Sequence, residues 1–420
     1  MKTNKITITI NRELFAGLFI LLPYIETGFI ATKMAVFFSD GYVKAIVVIM
    51  LFISFVLLFC GATRRHFLFV RNKLFRAECL MAVYLLVRVL FQWPLKAQYF
   101  STMLWIVVPM FYSLILANSC FSFHLHVDEL LRSVFFWFAT YEIFVVIYNI
   151  VFLGLYRDSS VRMTASAGGA VIFGYTIAFM YSLLVANGSI FSKKQYYFYT
   201  ILFFVCAIST GSRGSLWPML AIAAFDWLKI KFTVRKVILV VFAFIAVIII
   251  DPIEKISVMF PHLFTTANTY REFTIENSFK IFAEADFFTK VFGYGIGYVF
   301  PYQKWLISVS ENVIKSYENV VPILGRNMLV QPHNTYIYLT LESGLLWVAL
   351  LINYIVSFFR DIVKNKMVTL TLLALPCLTF LFVNFFDSVL CVAPGVAASL
   401  WTLLLLHHNT AYGGASCEIL

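Results

Sequence analysis

The chain has 420 residues, of which 61% are hydrophobic and only 13% are charged. This composition excludes a soluble globular protein, in which about a quarter of the residues carry a charge. The formal net charge of +11 does not indicate nucleic-acid binding, because the basic residues occur in short runs between apolar stretches, where membrane topology explains them.

The apolar stretches predict an all-α integral membrane protein with about twelve transmembrane helices, since about 20 apolar residues are needed to cross the hydrocarbon core. We find no linker and no convincing internal repeat, so residues 1–420 are interpreted as one polytopic domain. The predicted spans are 13–31, 43–61, 78–93, 99–121, 131–155, 167–188, 196–210, 214–228, 236–251, 333–359, 367–386 and 388–406.

The loops between these spans alternate in positive charge. If the N-terminus is cytoplasmic, most of the 32 Lys and Arg residues fall in cytoplasmic segments, as the positive-inside bias requires. This assignment also makes the C-terminus cytoplasmic. It puts a long polar loop, residues 251–332, on the far side of the membrane, where we expect the functional site.

Within the long loop, apolar residues at helical spacing predict an amphipathic helix between Tyr270 and Phe282 that lies on the membrane face or caps the bundle. Gly293, Gly295 and Gly297 favour a tight turn with close backbone approach. A phosphate-binding glycine loop is the weaker interpretation, because it needs a strand before it and a helix after it. A second helix is predicted over 303–317.

Arg213 lies in a very short outer turn with the sequence STGSRGS. The small residues around it allow two helices to approach, and Ser212 or Ser215 is suited to cap the second helix. An arginine at the start of a helix can bind phosphate through its guanidinium and the helix-end N–H groups. The alternative is an interfacial arginine whose charge reaches the lipid headgroups.

His333 and Asn334 occur where the chain re-enters the membrane, in the sequence QPHNTYIYLTLESGLL, with Pro332 expected in the first helical turn. A neutral imidazole at this position can accept a proton from an attacking hydroxyl. The alternative is a histidine that only caps the helix or contacts the interface.

Three further arginines are candidates for binding an anion at the outer side. Arg271 begins the amphipathic segment, where it is either a second phosphate ligand or a solvated charge beside Glu272. Arg157 and Arg162 occur in an outer loop rich in small polar residues, which suits an anionic ligand or an ordinary polar loop.

These features together fit a lipid-linked diphosphate. Its isoprenoid chain requires an apolar groove, and its diphosphate requires cationic hydrogen-bond donors. Neutralising the diphosphate makes it a good leaving group, so electrostatic stabilisation and one base suffice for transfer. The reaction needs no metal ion, and we predict no metal and no cofactor.

At these residues the chain resembles the O-antigen ligase and O-antigen polymerase family of bacterial polysaccharide assembly. The resemblance rests on TGSRGS in a short outer turn, the long loop, VFGYGIG late in that loop and PHNTYIYLTLESGLLWVALL at the start of the next span. These motifs occur in that order with family-like spacing over residues 205–350.

The resemblance implies a metal-independent, inverting glycosyltransferase of the GT-C type in the bacterial inner membrane. Such an enzyme moves a glycan from undecaprenyl diphosphate to an acceptor hydroxyl in the periplasm, and a chain-length regulator is an expected partner. The resemblance makes Arg213 and Arg271 diphosphate ligands and His333 the base or a phosphate contact. It also places Arg157 and Arg162 in the family's earlier periplasmic loop, where an arginine-then-glycine pattern is typical. Asn334, beside His333, is a further candidate for substrate binding.

The motifs do not separate polymerase from ligase. We favour the polymerase, which adds glycan to another lipid-linked unit, over the ligase, which adds it to lipid A–core. A transporter or flippase of lipid-linked oligosaccharide would also need phosphate-binding arginines. It should in addition have paired halves with broken helices, and the sequence pattern does not indicate such halves. A serine hydrolase using Ser212 or Ser215 is disfavoured, since no G-x-S-x-G motif surrounds them.

Overall fold

Apolar sequences of this kind favour helices, because lipid cannot satisfy backbone hydrogen bonds and a helix satisfies them internally. A computed structural model agrees: the residues it describes are α-helical apart from one short β-hairpin and the connections. The described residues are 12–33, 41–59, 73–91, 97–123, 125–152, 163, 170–210, 212–227, 267–297, 299–300, 320–323, 326–329, 332–364, 370–386 and 389–413.

The elements follow in chain order. They are α1 (Arg12–Lys33), α2 (Gly41–Phe59), α3 (Lys73–Leu90), α4 (Ala97–Ser122), α5 (Val127–Phe152), α6 (Ala170–Ala186), α7 (Lys193–Thr210), α8 (Arg213–Trp227), α9 (Ala267–Glu284), α10 (Phe287–Phe292), β1 (Val320–Ile323), β2 (Arg326–Leu329), α11 (Thr335–Lys364), α12 (Leu370–Phe386), α13 (Val389–Val392) and α14 (Pro394–Gly413).

Described helices occupy most of each predicted span except 236–251, which lies outside the described residues. Within the described part of the chain, three helices contain segments long and apolar enough to cross a membrane: Trp105–Ser122, Val127–Phe152 and Thr335–Arg360. The protein is therefore an α-helical membrane protein. The number of crossings and their orientation remain predictions.

Several helix ends meet at one face of the bundle, which we call the basic face because Arg12, Arg132, Lys193, Lys194 and Arg360 lie near these ends. Side chains connect the ends directly. The connections are the Glu13 carboxylate to the His126 amide (3.5 Å), Arg132 Nε to the Ile190 carbonyl (2.8 Å), Tyr196 Oη to Asp226 (2.7 Å), Asn187 Nδ2 to His407 Nδ1 (3.2 Å) and the Phe358 ring to the His408 ring (5.4 Å between centroids).

The opposite ends of these helices define the loop face. Because α8 reaches the basic face at Asp226, one residue before its end, and α11 runs past Phe358 there, both helices begin at the loop face. The end of α12 lies there too, since Thr335 Oγ1 donates to Asn384 Oδ1 over 2.9 Å. The starts of α8 and α11 therefore share one face of the bundle.

The helix predicted between Tyr270 and Phe282 is present as α9. Its buried side carries the polar residues Thr274, Asn277 and Ser278 together with Ile281, whereas Phe279 is exposed. The antiparallel hairpin β1–β2, with Val320 opposite Leu329, was not expected from the sequence. The segment 303–317, predicted as a second helix, lies outside the described residues.

Candidate functional site

Arg213 is the first residue of α8 and so lies at the loop face. The preceding residue begins the helical hydrogen bonding, since the Ser212 carbonyl accepts from the Leu216 amide over 3.2 Å. The Ser212 amide donates to Thr210 Oγ1 over 3.1 Å, which fixes the turn between α7 and α8. The backbone position of Arg213 matches the expectation of an arginine at a helix start; its side chain is outside the described part of the structure.

The small residues around Arg213 allow α6 and α8 to pack closely. A Cβ atom on Gly214 would lie 2.5 Å from Tyr175 Oη, and one on Gly174 would lie 2.7 Å from Ser215 Oγ. Larger residues at either glycine would push the helices apart. The glycines and serines of STGSRGS thus fit a close helix crossing, as the sequence predicted.

His333 lies immediately before the start of α11 and is half-buried. The next residue caps the helix, because Asn334 Oδ1 accepts from the amides of Tyr336 (2.9 Å) and Ile337 (3.0 Å). Pro332 therefore precedes the cap and is not in the first helical turn. Asparagine occupies the capping position because its side-chain oxygen accepts hydrogen bonds from the N–H groups at the helix start, whereas proline has no side-chain acceptor.

The side-chain oxygen of Asn334 is occupied by this capping role. Its assignment as a substrate-binding residue stays a prediction. Beside it, the start of α11 is attached to α12: the Tyr336 hydroxyl donates to the Leu381 carbonyl over 2.8 Å. Helix α12 also packs on α6, where the rings of Phe179 and Phe380 lie 6.4 Å apart. A continuous set of packed helices thus joins the His333 end of α11 to the Arg213 end of α8.

The other predicted ligands are described only in part. Arg271 lies in α9, but its side chain is outside the described residues. Arg157 and Arg162 are outside them altogether. These three assignments remain predictions.

The glycine turn, residues 293–297 with 299–300, packs against a break in α11. Gly344 has a φ of 77° and a ψ of −179°, so the helix is interrupted there. The carbonyls of Leu341 and Glu342 accept from the amides of Tyr294 and Gly295, each over 2.9 Å. Backbone groups near the break are therefore satisfied by the loop, as buried membrane-protein backbone requires.

Glu342 links the two segments through its side chain as well. Its carboxylate accepts from the amides of Gly297 (2.8 Å), Phe300 (3.2 Å) and Val299 (3.3 Å), and it is fully buried. A carboxylate that receives several backbone N–H bonds is compensated for the water it loses. The second half of the glycine turn thus wraps around one side chain of α11.

Helix α3 donates hydrogen bonds to both segments of this contact, the glycine turn and α11. Arg88 Nη2 donates to the Gly293 carbonyl over 3.1 Å, and the Tyr84 hydroxyl donates to the Ser343 carbonyl. Because Tyr84 and Arg88 are one helical turn apart, they lie on the same side of α3. The long loop is therefore fixed to two helices of the bundle through α10 and the glycine turn.

Arg88 and Glu342 were not selected from the sequence. Each is an ionisable residue within or beside an apolar span, which is a signal for a functional or structural role. The sequence interpretation applied that rule to the outer loops and to the turns beside the spans, and so missed both residues, which lie inside predicted spans.

Comparison with known proteins does not assign the chain to a family. No protein-family model matches it, and no curated protein matches it significantly.

Proposed function

We propose that this protein is a membrane glycosyltransferase that transfers a polyprenyl-diphosphate-linked glycan to an acceptor hydroxyl. The observation that carries the proposal is that α8, which Arg213 opens, and α11, which follows His333, begin at the same face of the bundle. The long loop is attached at that face through the glycine turn. These elements provide a cationic helix start, an imidazole and a covering loop beside apolar helices.

In the proposed reaction, Arg213 binds the diphosphate of the donor, with Arg271 as a second ligand. The acceptor hydroxyl oxygen attacks the anomeric carbon, and the bond from that carbon to the diphosphate oxygen breaks with inversion. The hydroxyl proton passes to His333. The guanidinium groups stabilise the negative charge that develops on the departing undecaprenyl diphosphate.

The proposed setting is the bacterial inner membrane, with about twelve spans by the length rule, both termini cytoplasmic and the loop face periplasmic. The charge distribution supports this orientation, because the helix ends of the basic face carry Arg12, Arg132, Lys193, Lys194 and Arg360. We propose the O-antigen polymerase activity first and the ligase activity second.

A transporter is less well supported. Its substrate and ion sites are built from broken helices in paired repeats, with freed carbonyls facing the ligand. The break at Gly344 is a broken helix, but the carbonyls of Leu341, Glu342 and Ser343 are bound by the glycine turn and Tyr84. This break joins the loop to the bundle and leaves those carbonyls unavailable to an ion.

The test is an assay of the purified protein with an undecaprenyl-diphosphate-linked repeat unit. Chain lengthening with this substrate alone indicates a polymerase, whereas transfer that begins only when lipid A–core is added indicates a ligase. Movement of the intact lipid-linked unit across vesicles, without any new glycosidic bond, would contradict the proposal in favour of the transporter.

A further inference from the structure

Four phenylalanines on α9 and α10 are exposed, and the rings of two of them, Phe287 and Phe288, lie 6.0 Å apart. We call the four together the phenylalanine surface. Phe287 and Phe288 are 73% and 72% exposed, Phe279 is 59% exposed and Phe292 is 41% exposed. Large aromatic groups are costly to leave in water, and contiguous exposed apolar surface marks a binding face. Something apolar is therefore expected to cover these rings.

Helix α9 exposes apolar and charged residues side by side. Its buried side carries Thr274, Asn277 and Ser278 together with Ile281, and Ser278 Oγ donates to the Thr274 carbonyl over 2.6 Å. Its exposed side carries Phe279 as well as Glu276. A helix in the membrane interface can expose both, because its apolar groups enter the lipid while its polar groups stay among the headgroups.

The position of α10 along α11 places this surface beside the membrane. Val291 and Gly293 lie against Gly344, so α10 contacts α11 at the break. With about 1.5 Å of rise per residue, Gly344 is about 14 Å along the helix from Thr335. Leu345 and Leu346, which follow the break, are 46% and 38% exposed and belong to the segment long enough to cross a membrane.

The polar groups of α10 are compatible with a position at the lipid headgroups. Asp286 caps α10 by accepting from the Thr289 amide (2.9 Å) and hydroxyl (2.7 Å), and these hydrogen bonds lower the pKa of its carboxyl. Lys290 Nζ donates to the Ala283 carbonyl over 2.8 Å. Both charged groups are thus hydrogen-bonded within the segment while the phenylalanines point outward.

We propose that the phenylalanine surface is inserted into the bilayer at the loop face and anchors α9 and α10 in the membrane interface. Its occupant is lipid, because α10 contacts α11 at the break, next to the exposed Leu345 and Leu346 of a segment long enough to cross a membrane. Of the two placements expected for the helix between Tyr270 and Phe282, the membrane face or a cap on the bundle, this proposal selects the membrane face and extends it through α10 to residue 292. Through the Gly293–Gly344 contact, this anchor also fixes the depth of the glycine turn.

The test is photo-crosslinking in lipid nanodiscs with p-benzoylphenylalanine incorporated separately at Phe287 and Phe288. Phe144, which is 48% exposed on the Val127–Phe152 span, is the lipid-facing reference, and Glu276 of α9 is the matched exposed polar position. We expect lipid adducts at 287 and 288 at the level of position 144, and about tenfold above position 276, as for apolar groups inserted in the interface.

Absence of lipid adducts at 287 and 288, with normal adducts at 144, would overturn the proposal. A cross-linked dimer or an adduct to another protein at these positions would also overturn it, because protein would then cover the surface. The wild-type chain gives an independent reading: a phospholipid with a diazirine in its acyl chain should label the peptide 279–292. Glycan transfer plays no part in either measurement, so their outcome does not depend on the proposed function.

Discussion

Gly293 and Gly344 meet backbone to backbone, at the point where the glycine turn packs into the break of α11. Both have a φ of 77°, and a Cβ on Gly344 would lie 2.5 Å from the Gly293 nitrogen. Only glycine combines this backbone conformation with this close approach. The contact attaches the long loop to a membrane helix and determines where the loop lies relative to the start of α11.

Gly344→Ala should destabilise the protein, because alanine is strained at positive φ and its Cβ would collide with the backbone of Val291 and Gly293. We expect a loss of at least about 2 kcal/mol in the free energy of unfolding, measured by thermal unfolding in detergent. Gly188→Ala is the matched control, since its added Cβ would meet only the Tyr196 ring at 3.3 Å. Equal stability of both variants would contradict the break at Gly344.

Glu342→Ala should be more destabilising than Glu342→Gln. Alanine leaves the buried amides of Gly297, Val299 and Phe300 without their acceptor, at a cost of about 3 kcal/mol, whereas glutamine keeps one side-chain oxygen. Unfolding of both variants in detergent gives the comparison. Glu129→Ala, which removes an exposed ion pair with Arg132, should change stability by less than about 1 kcal/mol. The described contacts would be incorrect if glutamine were as damaging as alanine.

Tyr84→Phe and Arg88→Ala should each loosen the loop without unfolding the bundle. Each variant loses one hydrogen bond from α3 to the Gly293–Gly344 contact, worth about 1 kcal/mol. The fraction of molecules in which the loop is detached from α11 should therefore rise about fivefold. Trypsin cleavage at Lys280 and Lys290 measures that population, and cleavage at Lys193 and Lys194 on the basic face is the internal control. Because Tyr84 and Arg88 act on one contact, the double variant should deviate from additivity; strict additivity would argue against a shared contact.

The helices were predictable because an apolar run of membrane length has few alternatives to a helix. Thus α5 at Val127–Phe152 agrees with the predicted span 131–155 within four residues at each end. The interruption of α11 was not predictable in the same way. Gly344 lies in a run of helix-forming residues, and glycine is often tolerated inside membrane helices.

The interaction partners of the loop were also hidden from the sequence. Gly293, Gly295 and Gly297 indicated a close backbone approach, but the pattern does not name the approaching segment. Glu342 was the available signal, as a carboxylate inside an apolar span. The burial of Thr274, Asn277 and Ser278 in α9 was unpredictable as well, because helical spacing shows that two sides differ and not which side faces protein.

Arg213→Ala and His333→Ala should each abolish glycan transfer while leaving expression and thermal unfolding unchanged. Removal of one electrostatic contact to the leaving group should reduce transfer by about a hundredfold or more. Loss of a general base should have an effect of about 100-fold to 10,000-fold. Transfer of lipid-linked units in vesicles provides the assay. Arg132→Ala, on the basic face, is the matched arginine control and should retain activity.

Arg213→Lys separates bidentate diphosphate binding from positive charge alone, and His333→Asn separates proton transfer from hydrogen bonding. Lysine keeps the charge but lacks the planar guanidinium fork, so partial activity is expected if Arg213 binds a diphosphate. Asparagine can donate a hydrogen bond but cannot take up a proton at neutral pH. Activity retained in His333→Asn would make this histidine a phosphate contact and exclude it as the base.

The most direct test of the central claim is topology mapping at positions 213 and 333 in intact cells. Reporter domains inserted immediately before Arg213 and immediately after His333 should both be active only in the periplasm, with a reporter before Lys193 active only in the cytoplasm. A cytoplasmic signal at either of the first two positions would contradict a shared diphosphate site on the outer face.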